Sequence, residues 1–387
     1  MTPHSVEIIK TIAALRALEV DWRALERSLP RMLPFATFDW SVAWWEHLRV
    51  DRWGVRDELF THAIRSDSGE LMAVAPMMVT SRPRRGPIRI RELQFLGSDP
   101  NVTEIRGLLV DPASAERAKR ALAEHLLDRT DDWDTLAWSG LHNDDEFYGE
   151  LEQTFTDVEW LTPTSDFVLP LPDTWDEFKR GLSRNVKEAI RKCYNSPKRD
   201  GIDFGFDVIS GGSRVSGALD DFFRLHSERA RLGGTVRHND VFADARSRAF
   251  LVDVCQKFAA RDCLRIFVTT LGDKTIATRI GFVLGDSLYL YYSGYESAYR
   301  GYSVMTRTVA EAIRYAIDEG FATVNLSTGN DRSKTRWGPR ERSFATAYVV
   351  APSRRSFVAR HLVSIARRLH AIGIARTVSR PFARRAS

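Results

Sequence analysis

The residues best suited to chemistry lie in one polar run, Ser327-Thr328-Gly329-Asn330-Asp331-Arg332-Ser333-Lys334-Thr335-Arg336-Trp337, which follows a short strand pattern. Polar loops after strands commonly serve ligands. Lys334 stands four positions after Asn330 and three before Trp337; it either binds an acceptor phosphate, stabilises developing negative charge, or is solvated. Trp337 either stacks on a ligand or anchors the loop. Upstream, Arg184, Lys187, Arg191 and Lys192 share one helix face by spacing, which either receives a phosphate-bearing molecule or stays solvated. His226 sits in another helical pattern as a satisfied histidine, an acceptor contact or a general base. Asp331 or Glu296 are further candidates for a base acting through water. Cys193, Cys255 and Cys263 are odd in number, without metal-ligand or redox-pair spacing, so reduced thiols are expected, and no metal.

The elements that must position these residues follow from turn chemistry and periodicity. Leu264–Thr270, Thr275–Leu284 and Ser287–Ser293 are separated by turns containing Gly272 and Gly285, which predicts an antiparallel meander. The aromatic loop 295–302 leads to a helix with Met305, Val309, Ala312, Ile313, Ala316 and Ile317 on one face, ended by Gly320. Helices are expected at Trp175–Leu182, Ser183–Cys193, Ala218–Arg231 and Ala245–Ala260, with a strand at Phe204–Ile209 and an exit turn at Asn195-Ser196-Pro197. In the first half a helical pattern runs to about Leu29. Strands follow at Glu58–Arg65, Leu71–Thr80 and Ile88–Leu96, then helix Ala113–Leu127 and strand Thr135–Ser139. The hairpin near Leu71 echoes the one near Thr275, the trace a tandem duplication would leave. The boundary is placed near Thr164–Leu171, giving units 1–165 and 166–351 and a tail, 352–387.

Charge separates the tail from the body. Pro352–Ser387 holds nine Arg and no Lys or acidic residue; removing these nine from the net +5 leaves −4 for residues 1–351. A mildly acidic body weighs against a duplex nucleic-acid binder, which wants a basic face on the folded domain. Val358, Leu362, Ile365, Leu369 and Ile372 recur at helical spacing opposite Arg360 and Arg367, so the tail either lies on an anionic membrane surface or packs on the body. With 43% hydrophobic and 28% charged residues and no membrane-spanning stretch, the expectation is a cytoplasmic globular protein, peripheral at the inner face of the membrane if the tail binds there.

The order of motifs Trp175…Phe178…Leu182-Ser183-Arg184-Asn185…Lys187…Arg191-Lys192, Phe222…Leu225-His226…Arg229, Ile276-Ala277, Tyr291-Tyr292-Ser293-Gly294-Tyr295 and Gly329…Lys334…Trp337 resembles the CelD-type branch of the GNAT acyltransferase superfamily, associated with cellulose and exopolysaccharide biosynthesis. The same branch resembles the Fem-type peptidoglycan aminoacyltransferases. The resemblance implies an α/β fold of tandem GNAT-like domains, each a mixed, mostly antiparallel sheet flanked by helices. It implies N-acyl transfer from acyl-CoA, acetyl-CoA first, to an amine, with an amino-sugar of a polysaccharide or glycolipid precursor as acceptor. The alternatives are a Fem-like transferase using aminoacyl-tRNA and a non-catalytic, membrane-associated scaffold.

On that resemblance Tyr295 is the proton donor to the leaving thiolate, with Lys334 and His226 as the other catalytic candidates. Arg300, Gly301, Tyr302, Ser303, Val304 and Met305 occupy the place of the pyrophosphate loop that opens the following helix, and Arg184, Asn185, Arg191, Arg229, Asn330, Asp331 and Trp337 are assigned to the acceptor. The chain departs from the superfamily in two places. The loop has a single glycine, and Asn325-Leu326-Ser327 stands where an acidic residue is usual. The absence of a nucleophile elbow or papain-like signature fits direct attack by the amine.

Overall fold

The computed structural model describes residues 5–83, 89–99, 101–142, 145–232 and 239–352. The tail assigned to a membrane surface lies, from residue 353 on, outside the described residues. In the first half, strands β1 (Ser5–Ile9), β2 (Asp51–Arg52), β3 (Val55–Leu59), β4 (Thr61–Arg65), β5 (Leu71–Ala75), β6 (Met77–Arg82), β7 (Ile90–Phe95), β8 (Leu109–Val110) and β9 (Thr135–His142) accompany helices α1 (Ile12–Ala17), α2 (Glu19–Ser28), α3 (Phe38–His47), α4 (Ala115–Asp128) and α5 (Phe147–Thr154). Strand β10 (Val158–Pro170) leads into α6 (Trp175–Gly181), α7 (Arg184–Arg199), β11 (Phe204–Ile209), α8 (Arg214–Arg231) and α9 (Ala245–Ala260). The meander β12 (Leu264–Leu271), β13 (Lys274–Leu284) and β14 (Ser287–Tyr295) precedes α10 (Val304–Asp318), β15 (Thr323–Thr328), α11 (Arg332–Thr335) and β16 (Arg340–Val350).

One twelve-stranded sheet runs β11-β12-β13-β14-β15-β10-β16-β9-β7-β6-β3-β2, beside a four-stranded sheet β1-β4-β5-β8. The large sheet repeats one device twice. β7 and β9 are parallel over Glu92–Gln94 and Thr135–Ala137, with α4 in the crossover; β14 and β15 are parallel over Ser287–Tyr289 and Thr323–Asn325, with α10 in the crossover. Parallel neighbours require such a crossover. Between the repeats, β10 flanks β15, β16 flanks β9, and the two pair with each other. The architecture is therefore two α/β units in tandem, as expected, but they share one large sheet where a sheet for each was expected. The boundary placed at 165/166 falls inside β10, and β16, the last strand among the described residues, lies beside the first unit.

Several local expectations are corrected. The opening pattern read as helix begins as strand β1, paired with β4; cross-strand neighbours override a helical spacing of charges in so short a segment. The single strands expected at Glu58–Arg65 and Leu71–Thr80 each break in two, because this hairpin passes from the large sheet to the small one at Phe60 and Pro76. The basic helix does not stop at Asn195: α7 continues to Arg199 with Pro197 inside it, and the turn comes at Gly201, whose φ is +73°.

Candidate active site

The parallel contact between β14 and β15 ends at Tyr289 and Asn325, although both strands continue. Beyond that point they diverge, and residues from both line a cavity of about 1270 Å³. A bulge opposite Arg279–Gly281 puts one extra residue into β14 at Tyr291–Tyr292, so both of these neighbours line the cavity. Bulges near sites serve this re-aiming. Gly294 allows helix α8 to lie against the strand: a Cβ there would sit 2.5 Å from the Leu225 carbonyl carbon. The start of α10 closes one side. Ser303 takes a left-handed conformation (φ 55°) and caps nothing with its side chain, and the first turn holds no acidic residue. The first N–H groups of a helix lack intrahelical partners and favour an anion.

The opposite wall comes from the first unit. Residues 97–99, Asn101 and residues 103–106 line the cavity, held by Trp44 Nε1 on Asp99 (2.7 Å) and Trp40 Nε1 on Thr103 (3.2 Å). Three tyrosines of β14 clamp this wall: Tyr291 donates to the Val102 carbonyl, Tyr292 to that of Asn101, and Tyr289 to the Glu104 carboxylate. Ser327 Oγ also donates to Glu104, at 3.0 Å. Burial pushes the Glu104 carboxyl above its usual range, against the opposing effects of the Tyr289 hydroxyl and Lys334. A raised pKa makes the carboxylate a better proton acceptor than an ordinary glutamate.

Among the described residues, six cationic side chains line the cavity, Arg106, Arg229, Arg279, Arg300, Lys334 and Arg336, against three carboxylates, Asp99, Glu104 and Asp331. Lys334 donates to the Thr328 carbonyl and lies 3.4 Å from Asp331; burial, reinforced by Arg279, holds its ammonium pKa below the ordinary lysine value. Arg229 bonds Ser293 Oγ at 2.8 Å and lies over the Tyr295 ring, and burial lowers its pKa.

Of the residues singled out in the sequence, Tyr295, Lys334, His226, Arg229, Arg300, Ser303, Val304, Met305, Asn330, Asp331 and Trp337 are brought together around this cavity. Arg184, Asn185 and Arg191 are not: they are exposed on α7, where Arg184 pairs with Glu188. Gly301 and Tyr302 also lie off the lining. Gly301 has open space around it, and Tyr302 bonds Asp200 (3.1 Å). His226 is buried among Phe222, Phe242 and Tyr292 with Nδ1 on the Ser293 carbonyl (3.2 Å), and burial lowers its pKa. Asp331 caps α11 through Ser333. Trp337 is 3% exposed and packs in a core cluster with Phe167 and Ile313, which makes it an anchor. Sequence reasoning missed Glu104, which stands in an irregular segment with no periodicity, and Arg279, whose charge inside the apolar run Ile276–Leu284 was a legible signal.

The fold is of the GNAT acyltransferase type. Residues 183–335 match the family of the acetyltransferase (GNAT) domain. FemX is similar in structure over 88% of this chain and 96% of its own, with a TM-score of 0.58 at 12% identity. A conserved protein of unknown function from Bacteroides thetaiotaomicron is similar over 90% of this chain and 100% of its own (TM-score 0.51, 13% identity). The C-terminal domain of a putative lysylphosphatidylglycerol synthetase from Agrobacterium fabrum is similar over 90% and 95% (TM-score 0.50, 10% identity). No curated protein matches the chain in sequence.

Proposed function

We propose that the chain is an acyl-CoA-dependent N-acyltransferase acting on an amine, with an amino-sugar of a polysaccharide or glycolipid precursor as the first acceptor to test. The observation that carries this is the divergence of β14 from β15 into a cavity bounded by the start of α10. The helix start, with Arg300 beside it, receives the pyrophosphate. The thioester lies along the unpaired edge of β14, whose backbone N–H groups polarise its carbonyl. Glu104 takes a proton from the amine, the nitrogen attacks the carbonyl carbon, the carbon–sulfur bond breaks, and Tyr295 protonates the thiolate. Lys334 stabilises the oxyanion. A ligand that binds the native state raises the melting temperature, so millimolar acetyl-CoA should shift it upward.

The single-glycine loop and the position of Gly301 off the lining favour a second donor, aminoacyl-tRNA. A shift with charged tRNA and none with acetyl-CoA would select that donor, and thioester binding without turnover of any amine would leave a scaffold. For the tail, we place an anionic membrane surface as partner. The full chain should co-sediment with anionic vesicles and be released by salt, while a chain ending at Ala351 should stay in the supernatant.

A further inference from the structure

Arg279 lies in the middle of β13 and is 8% exposed. Its Nη2 donates to the Leu290 carbonyl at 3.0 Å and reaches that of Leu326 at 3.5 Å. Among the described residues its buried Nε has no partner and no carboxylate lies within ion-pair distance. Burial and the neighbouring Arg229 push its pKa down to about 10. A buried cation is ordinarily paired, since desolvation otherwise costs several kcal/mol. Two further cations, Arg229 from α8 and Lys334 from the loop after β15, are within electrostatic reach and line the same cavity. The carboxylates nearby, Glu104 and Asp331, are engaged by Tyr289 and Ser327 and by Ser333 and Lys334.

Resting on the N-acyltransferase reading, we infer that the acceptor carries an oxyanion, phosphate or carboxylate, that docks on Arg279 beside Arg229, leaving Lys334 to the oxyanion of the thioester. The guanidinium fork suits either oxyanion. The anion replaces the missing counter-charge, and it fixes the acceptor so that its amine faces Glu104. The α10 start, at the Ala277–Tyr295 end of the strands, remains for the donor.

The test uses the full-length protein, with melting temperature and calorimetric titration in sodium phosphate, sodium acetate and sodium chloride at matched pH and ionic strength. Phosphate or acetate, but not chloride, should stabilise it, and whichever acts more strongly names the anion. The effect should persist with acetyl-CoA bound. Arg279→Met should melt no lower than the parent without ligand, because an unpaired buried charge has gone, and should lose the anion response while keeping the acetyl-CoA shift. If that variant does not fold, Arg229→Gln should weaken anion binding about tenfold or more. Equal anion responses in parent and variants, no response in the parent, or loss of the response when acetyl-CoA is bound would overturn the subsite. A parent that responds to phosphate but not to acetyl-CoA would overturn the donor reading alone.

Discussion

The two parallel strand pairs of the large sheet are built alike and used differently. In the second unit, the space beyond the β14–β15 contact is open and forms the cavity. In the first, the strands β7 and β9 also part beyond Gln94 and Ala137, but the chain's own segment occupies that end. Arg106 and Gly107 press against Gly140, which takes a φ of +83°, and a Cβ on Gly140 would collide with the Arg106 carbonyl and sit 2.8 Å from the Gly107 Cα. The same backbone device is thus a ligand slot in one unit and a socket for a plug in the other. The plug brings Glu104 and Arg106 to the cavity, so the first unit supplies side chains to the site of the second.

The most damaging test of this division of labour is Glu104→Gln. If the plug serves chemistry, kcat/KM for acyl transfer should fall about 100-fold or more, the usual weight of a general base, with the melting temperature little changed. A near-parental rate would reduce the plug to packing. Gly140→Ala attacks the socket. A Cβ at that positive φ strains the backbone and displaces the plug, so the loss should be about 2 kcal/mol in the urea midpoint. Gly301→Ala, in open space at the donor end, should leave stability unchanged and serves as its control. Lys334→Ala should lower kcat/KM at least about tenfold, or about 1.4 kcal/mol, and parental rates in that variant would remove the lysine from the site.

The asymmetry of the two units also explains what the sequence revealed. The meander, α10 and its Gly320 terminus were legible because Gly-containing turns and one apolar helix face are local signals, and the Gly320 φ is +76°. One wall of the cavity is made of those elements, so Tyr295, Ser303 and Lys334 could be placed near one another. The opposite wall depends on contacts between residues almost two hundred positions apart, such as Tyr289 with Glu104, which no periodicity encodes. The basic face of α7 misled for the opposite reason. Its spacing is regular, yet the face points to solvent, where charge patterning alone supports a helix. Strand β16 and the pairing that joins the units across β10 were equally invisible, since register at such range is set by tertiary packing.

The smallest expected effect separates the units by acid. His62 on β4 is fully buried, 5.6 Å from the ring of His125 on α4, and among the described residues neither nitrogen of its ring, nor the buried Nε2 of His125, has a partner. Burial, together with the nearby His125, holds the His62 pKa at about 3, against an ordinary 6.5. The unfolded chain therefore binds a proton that the folded one refuses. Stability is complete above the unfolded value and is lost as pH falls from about 6.5 towards 3. From pH 7 to pH 6 the loss from this group is about 0.7 kcal/mol, and at lower pH it approaches about 1.4 kcal/mol per pH unit. Arg229, Arg279 and Lys334 sit in the other unit, so acid should loosen the first unit before it disturbs that cluster. Urea midpoints across this window, followed by the fluorescence of Trp133 and Trp138 in the core that also holds Ile64 and Leu122, measure the effect. His62→Phe should flatten the dependence. An unchanged slope in that variant would assign the acid sensitivity elsewhere and leave the first unit no less acid-tolerant than the second.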